Sequence, residues 1–120
     1  AAAREGRGLS DAVTLPSEMP SPATVAEFTR RSGGEASRAL GWDTPSGRSS
    51  AGRFFGPEAF GHTGFTGTSI WVDPELDLFV VLLTNRVNPT RDNQKHVFLR
   101  RVVHDAVASS IQDKTMEPRP

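Results

Sequence analysis

The chain has no cysteine, no tyrosine, no net charge and no long apolar run. Without cysteine there is no disulfide, no thiolate nucleophile and no thiolate-held metal, while the redox compartment stays open. Fourteen basic residues balance fourteen acidic ones. A nucleic-acid partner is therefore not expected, because such binders carry a basic excess on one face. No stretch reaches the roughly eighteen apolar residues of a membrane-spanning helix, so no membrane partner is expected either. The start, Ala1-Ala2-Ala3-Arg4-Glu5-Gly6-Arg7, lacks the apolar stretch of a signal peptide, and no cellular address is legible. It also lacks a methionine, and the expectation is a chain that begins part-way through a longer protein or after processing.

What is present is unevenly spread. The 120 residues suit one small domain or a piece of a larger one. Hydrophobic residues make up 36% of the chain and concentrate in residues 54–107. Residues 1–20, with Gly6, Gly8, Pro16 and Pro20, read as a poorly ordered lead-in, residues 21–112 as the folded segment, and residues 113–120 as a polar, fraying tail.

Within the folded segment, Ser21 is a good N-cap and Pro22 suits a first helical turn, where its missing N–H is not needed. Val25 and Phe28 then share a face, and Gly33-Gly34 is expected to stop the helix. Ala39-Leu40-Gly41-Trp42-Asp43 reads as a short strand. Residues 44–61 form a long connection, which Phe54, Phe55 and Phe60 mark as packed. Thr68-Ser69-Ile70-Trp71-Val72 and Leu78-Phe79-Val80-Val81-Leu82-Leu83 are strand-forming runs joined by Asp73-Pro74-Glu75-Leu76-Asp77, a turn signal, so a hairpin is predicted. Trp71 and Phe79 are expected in its core, and Asp73 and Asp77 to bond the local backbone. The second run is apolar on both faces and is expected to be central in its sheet, covered on both sides. A last helix is predicted over residues 94–111, capped by Thr90 or Asp92. Its sheet-facing stripe is expected to be Phe98, Val102 and Ala106, with Leu99, Val103 and Val107 beside it. The fold class is α/β in the α+β sense: antiparallel strands packed with a C-terminal helix.

The most unusual stretch is Phe60-Gly61-His62-Thr63-Gly64-Phe65-Thr66-Gly67-Thr68-Ser69, where glycines alternate with small hydroxyl residues at the start of a packing strand. Glycine in a strand marks a bulge or the close approach of a ligand or another backbone. On composition alone it reads as a bulged edge strand with His62 an ordinary polar residue. His62-Thr63-Gly64, however, resembles the Lys/His-Thr-Gly motif of the serine β-lactamase and penicillin-binding-protein superfamily. The line from Gly61 through Trp71-Val72-Asp73-Pro74-Glu75 to Leu78-Phe79-Val80-Val81-Leu82-Leu83-Thr84-Asn85-Arg86 is similar to its class C-like branch of esterases, D-alanyl-D-alanine carboxypeptidases or aminopeptidases, and class C β-lactamases. Leu40-Gly41-Trp42 upstream and the helix downstream fit the same order.

The resemblance implies the C-terminal part of a β-lactamase/transpeptidase-like domain. Such enzymes attack an ester, amide or β-lactam carbonyl with a serine and hydrolyse the acyl-enzyme. His62 matches the position that binds and orients substrate or the neighbouring catalytic groups. Thr63 would hydrogen-bond within the site, and Gly64 would keep the strand edge open. Phe65 matches the position whose backbone N–H is one of two oxyanion-hole donors. Histidine in place of lysine removes a permanent charge, which fits esterase or peptidase branches better than carboxylate-bearing β-lactams. Trp42, beside the long connection, is a candidate substrate wall. The expected partners are a small-molecule or peptide acyl substrate and the remainder of the catalytic domain, upstream or as a second chain.

The rest of the family's machinery is missing. The nucleophile belongs to Ser-x-x-Lys, but the residues three before Lys95 and Lys114 are Asp92 and Ile111. Tyr-x-Asn cannot occur without tyrosine, and no Ser-x-Asn replaces it. The alternative to a hydrolase segment is a catalytically silent remnant or binding module of the same fold. No cofactor is implied. His96 and His104 lie eight apart on the last helix, and without a third ligand they read as surface or capping histidines, with no metal expected.

Overall fold

The computed structural model describes residues 19–111 and 118–119. The lead-in up to residue 18 and most of the tail lie outside that span. The described residues form an α+β arrangement in the order α1 (Pro22–Thr29), β1 (Phe60–Thr63), β2 (Ser69–Asp73), β3 (Leu78–Leu82) and α2 (Lys95–Ser109).

α1 starts as its sequence dictates. Ser21 Oγ accepts the Thr24 N–H at 3.1 Å, with Pro22 in the first turn. It ends before the glycines, because Arg30 is already extended (φ −68°, ψ 128°). Gly33 and Gly34, at positive φ, only turn the chain afterwards. Residues 39–43 are not a strand. Gly41 at φ +78° makes a tight turn there, closed by the Ala39 N–H on the Trp42 carbonyl at 3.0 Å, with Arg38 and Asp43 paired across it.

The three strands form an antiparallel sheet in the order β1-β2-β3. Trp71 is paired with Gly61 on one side and Val80 on the other. The Asp73–Asp77 turn forms as expected: Asp73 accepts the N–H groups of Glu75 (3.0 Å) and Leu76 (3.2 Å) on one carboxylate oxygen. Its other oxygen takes the Gly56 N–H at 2.6 Å, so this fully buried carboxylate also fastens the long connection to the sheet. That connection is packed, and its Ala51, Phe55 and Ala59 join Trp71, Val80 and Ala108 in the core.

Two expectations about apolar faces fail. β3 is not central but an edge among the described strands. Val80, with Leu78 packed beside it, faces the core; Phe79, Val81 and Leu83, pointing the other way by the period of two, are 66%, 51% and 78% exposed. Phe79 is thus no core residue, unlike Trp71. In α2 the buried line is Arg100, His104 and Ala108, while Phe98 and Val102 stand exposed. The surface beneath α2 explains the choice. It presents the Gly64 and Thr68 carbonyls, each of which takes Arg100 as a second donor beside a backbone N–H, and the ring of Phe55, against which His104 packs edge-on at 5.8 Å. The helix start differs too. Thr90 and Asp92 bond each other at 3.0 Å, and Asn93 Oδ1 accepts the Lys95 N–H instead.

Candidate active site

β1 is built to leave one edge partly open. Gly61 exchanges both backbone bonds with Asp43 (2.7 and 2.9 Å), on the side away from β2. By the alternation of an antiparallel ladder, Thr63 turns its N–H and C=O to that same outer edge. Gly61 has no room for a side chain, since a β-carbon there would run into the Ile70 carbonyl and the Trp71 indole. The glycine lets the Trp71 ring lie flat against β1 and so ties the site strand to the core.

His62 is exposed on the opposite face from Trp71. Its Nδ1 lies 2.9 Å from the Thr63 carbonyl and its Nε2 lies 3.3 Å from Arg38 Nη1. A guanidinium only donates, so Nε2 accepts from Arg38 and Nδ1–H donates to Thr63. Arg38 was not singled out by sequence, and 24 residues separate it from His62 with no local pattern to link them. The Thr63 side chain lines a polar cleft of about 300 Å³ shared with Arg48, Ser49, Arg100 and Arg101. At Gly64 the space a side chain would occupy is taken by Thr68 Oγ1 from across the turn.

Residues 64–68 form a tied turn. The Gly64 N–H reaches the Thr68 carbonyl at 2.8 Å, Thr84 Oγ1 donates to the Gly67 carbonyl at 2.6 Å, and the Arg86 N–H donates to the Thr66 carbonyl at 2.8 Å. Gly67 sits at φ +111°, where an L side chain is strained. Arg86 Nε donates to the Phe65 carbonyl at 2.7 Å, and its guanidinium lies 4.3 Å from the centre of the Phe65 ring. The Phe65 N–H meets no acceptor among the described residues.

The structure therefore brings His62, Thr63, Gly64 and Phe65 together at one end of β1. Trp42 stands apart from them. Its ring meets Phe60 edge-on at 5.2 Å and closes an apolar recess of about 270 Å³ with Val25 and Phe28 of α1.

The comparisons with known proteins give the family. The family model described as Beta-lactamase matches residues 3–105. The chain belongs to the Beta-lactamase family. A protein of Salmonella gallinarum (strain 287/91 / NCTC 13346) named "Putative D-alanyl-D-alanine carboxypeptidase" is 39% identical over 98 residues, covering 76% of this chain and 22% of that relative. Proteins of the same name from Salmonella schwarzengrund (strain CVM19633) and Salmonella newport (strain SL254) are 38% identical over the same shares. The match thus spans about a fifth of the length of these curated relatives. No solved structure matches significantly. This β-lactamase-family chain is accordingly a serine-hydrolase-related segment.

The two histidines of α2 part company. His96 Nδ1 lies 3.2 Å from the Asn93 carbonyl near the start of the helix. His104 is no surface group. It is fully buried, its Nδ1 is 2.6 Å from the Arg100 carbonyl, and burial pulls its pKa below the usual histidine value. Among the described residues no group of three His, Cys, Asp or Glu is arranged to hold a metal. No described helix is long and apolar enough to cross a membrane.

Proposed function

We propose that this chain is the C-terminal segment of a class C-like serine hydrolase, of the esterase or D-alanyl-D-alanine carboxypeptidase type, and supplies one wall of its cleft. The observation that carries the reading is the unengaged Phe65 N–H, held in a tied turn directly after His62-Thr63-Gly64. An acyl carbonyl lying along the outer edge of β1 would place its oxygen at this N–H. A serine from outside this chain adds to the carbonyl carbon, and the oxygen gains negative charge as the tetrahedral intermediate forms. The leaving group departs with a proton, and water then hydrolyses the acyl-enzyme. A donor already aimed at that oxygen needs no reorganisation, which is why removing one such donor typically costs about 10²–10³ in rate.

In this reading His62 and Arg38 border the substrate, and Arg38 returns the permanent positive charge that lysine would have carried at position 62. The substrate is a small ester or a peptide ending in D-alanine, in keeping with the relatives' name. The rest of the catalytic domain covers the exposed faces of β3 (Phe79, Val81, Leu83) and α2 (Phe98, Val102). Apolar patches of this kind mark interaction surfaces.

The coding sequence upstream of Ala1 tests the reading. An in-frame Ser-x-x-Lys followed by Tyr-x-Asn, in a polypeptide that turns over a chromogenic short-chain ester, is the expected result. Absence of both motifs from the reading frame and from any co-purifying chain would overturn it in favour of a silent remnant.

A further inference from the structure

We propose that Arg100 is the positioning residue that aims the Phe65 N–H, a role that rests on the reading of that N–H as an oxyanion donor. Arg100 Nη2 donates to the Gly64 carbonyl at 2.7 Å and to the Thr68 carbonyl at 2.9 Å, bridging the two ends of the turn. The Gly64 carbonyl belongs to the same peptide unit as the Phe65 N–H. That unit is planar and trans, so its C=O and N–H point in opposite directions. Pinning the carbonyl towards α2 therefore points the N–H away from α2. Arg86 holds the next peptide unit by the Phe65 carbonyl, so the amide is restrained from both sides.

Stability alone does not call for an arginine at this place. Arg100 is only 6% exposed, and no ion pair of the described residues includes it. Burying a charge without a carboxylate is unfavourable, and an apolar residue of similar size would suit a helix–sheet contact better. What the charge does accomplish is electrical. A cationic donor on the carbonyl oxygen polarises the peptide unit and strengthens its N–H as a donor, as coupled hydrogen bonds do in a low-dielectric setting. Arg86 adds a second positive charge beside the same unit. Both favour negative charge developing at the N–H.

The test uses the complete polypeptide carrying this chain, with Arg100→Met, Arg100→Lys and Arg100→Gln compared. The expected result for Arg100→Met is a kcat on a p-nitrophenyl ester lowered at least about tenfold, within the range for loss of one oxyanion donor. KM should change less than about threefold, since the donor acts on charge that exists only in the transition state. A phosphonate transition-state analogue should lose affinity in parallel with kcat/KM. Arg100→Lys, which keeps the charge but reaches one carbonyl at a time, should recover part of the loss. If Arg100→Met does not fold, Arg100→Gln, which keeps donors without charge, should show the same split. A folded Arg100→Met or Arg100→Gln protein with unchanged kcat and analogue affinity would overturn the role. If the unsubstituted protein itself shows no turnover, the reading of the site fails instead. The positioning is then judged by the Phe65 amide resonance, which should move in Arg100→Met, and an unmoved resonance would overturn it.

Discussion

Gly61 and Trp71 are cross-strand partners in which the missing side chain of one is the seat of the other. The indole lies fully buried against β1, and its Nε1 donates to Ser50 Oγ at 3.0 Å, so one residue joins the site strand, the long connection and the core. Gly61→Ala should therefore destabilise the fold at or above the upper end of the roughly 1–3 kcal/mol typical of overpacking. Trp71→Ala should cost about 3–5 kcal/mol through the cavity it leaves. Denaturant unfolding of both single variants and the double variant checks the pairing. The double variant should cost less than the sum by the indole's share of the clash, while the clash with the Ile70 carbonyl remains.

Asp73 is the second tie. Its carboxylate collects three backbone N–H groups, from Gly56, Glu75 and Leu76. Asp73→Ala leaves these donors without their acceptor and should cost about 2–4 kcal/mol, since each bond to a charged group is worth roughly 1.5–3 kcal/mol and partial rehydration offsets some of the loss. Amide hydrogen exchange should locate the damage. Protection of Gly56 is expected to fall together with that of the β2–β3 turn, and loss confined to the turn would show that the long connection is held by other means.

His104 gives the fold a pH dependence whose sign follows from burial. Its folded pKa lies below the unfolded value of about 6.5. Above that unfolded value both states are neutral there, and the histidine contributes no slope. As pH falls below it, the unfolded state takes up a proton that the folded state refuses, so stability declines until the folded pKa is reached. His104→Gln should flatten this part of the stability curve relative to the unsubstituted protein. Identical slopes in the two proteins from pH 7 to 5 would contradict the assignment.

Much of the frame was legible because its signals are local. Ser21-Pro22 set a helix start, and Pro74 between two aspartates set a turn whose register then paired Trp71 with Val80. The His62-Thr63-Gly64-Phe65 cluster was legible for the same reason, as four consecutive residues. The failures concern partners distant in sequence. An apolar run states that a face is to be covered but not by what, so Leu78–Leu83 suggested a central strand and Phe98-Val102 an inward stripe. Arg100 reaches carbonyls 36 and 32 residues away, and Arg38 meets His62 across a turn that read as a strand. The Arg100 contacts arise only once the turn at residues 64–68 is folded beneath α2.

The exposed faces make a prediction about solution behaviour. With Phe79, Val81, Leu83, Phe98 and Val102 uncovered and β3 an open edge, the 120-residue chain by itself should self-associate. Light scattering across a concentration series checks this, and a clean monomer throughout would count against the idea that these faces need a cover.

The most direct measurement is covalent labelling followed by intact-mass analysis. The 120-residue chain and the complete polypeptide are each incubated with a fluorophosphonate and with a β-lactam. The expected result is no adduct on the chain alone, and an adduct on a Ser-x-x-Lys serine outside this segment in the complete polypeptide, formed more slowly when His62 is replaced by alanine. An adduct on a serine within this chain, such as Ser49 or Ser50, would contradict it, because the segment would then hold a nucleophile of its own.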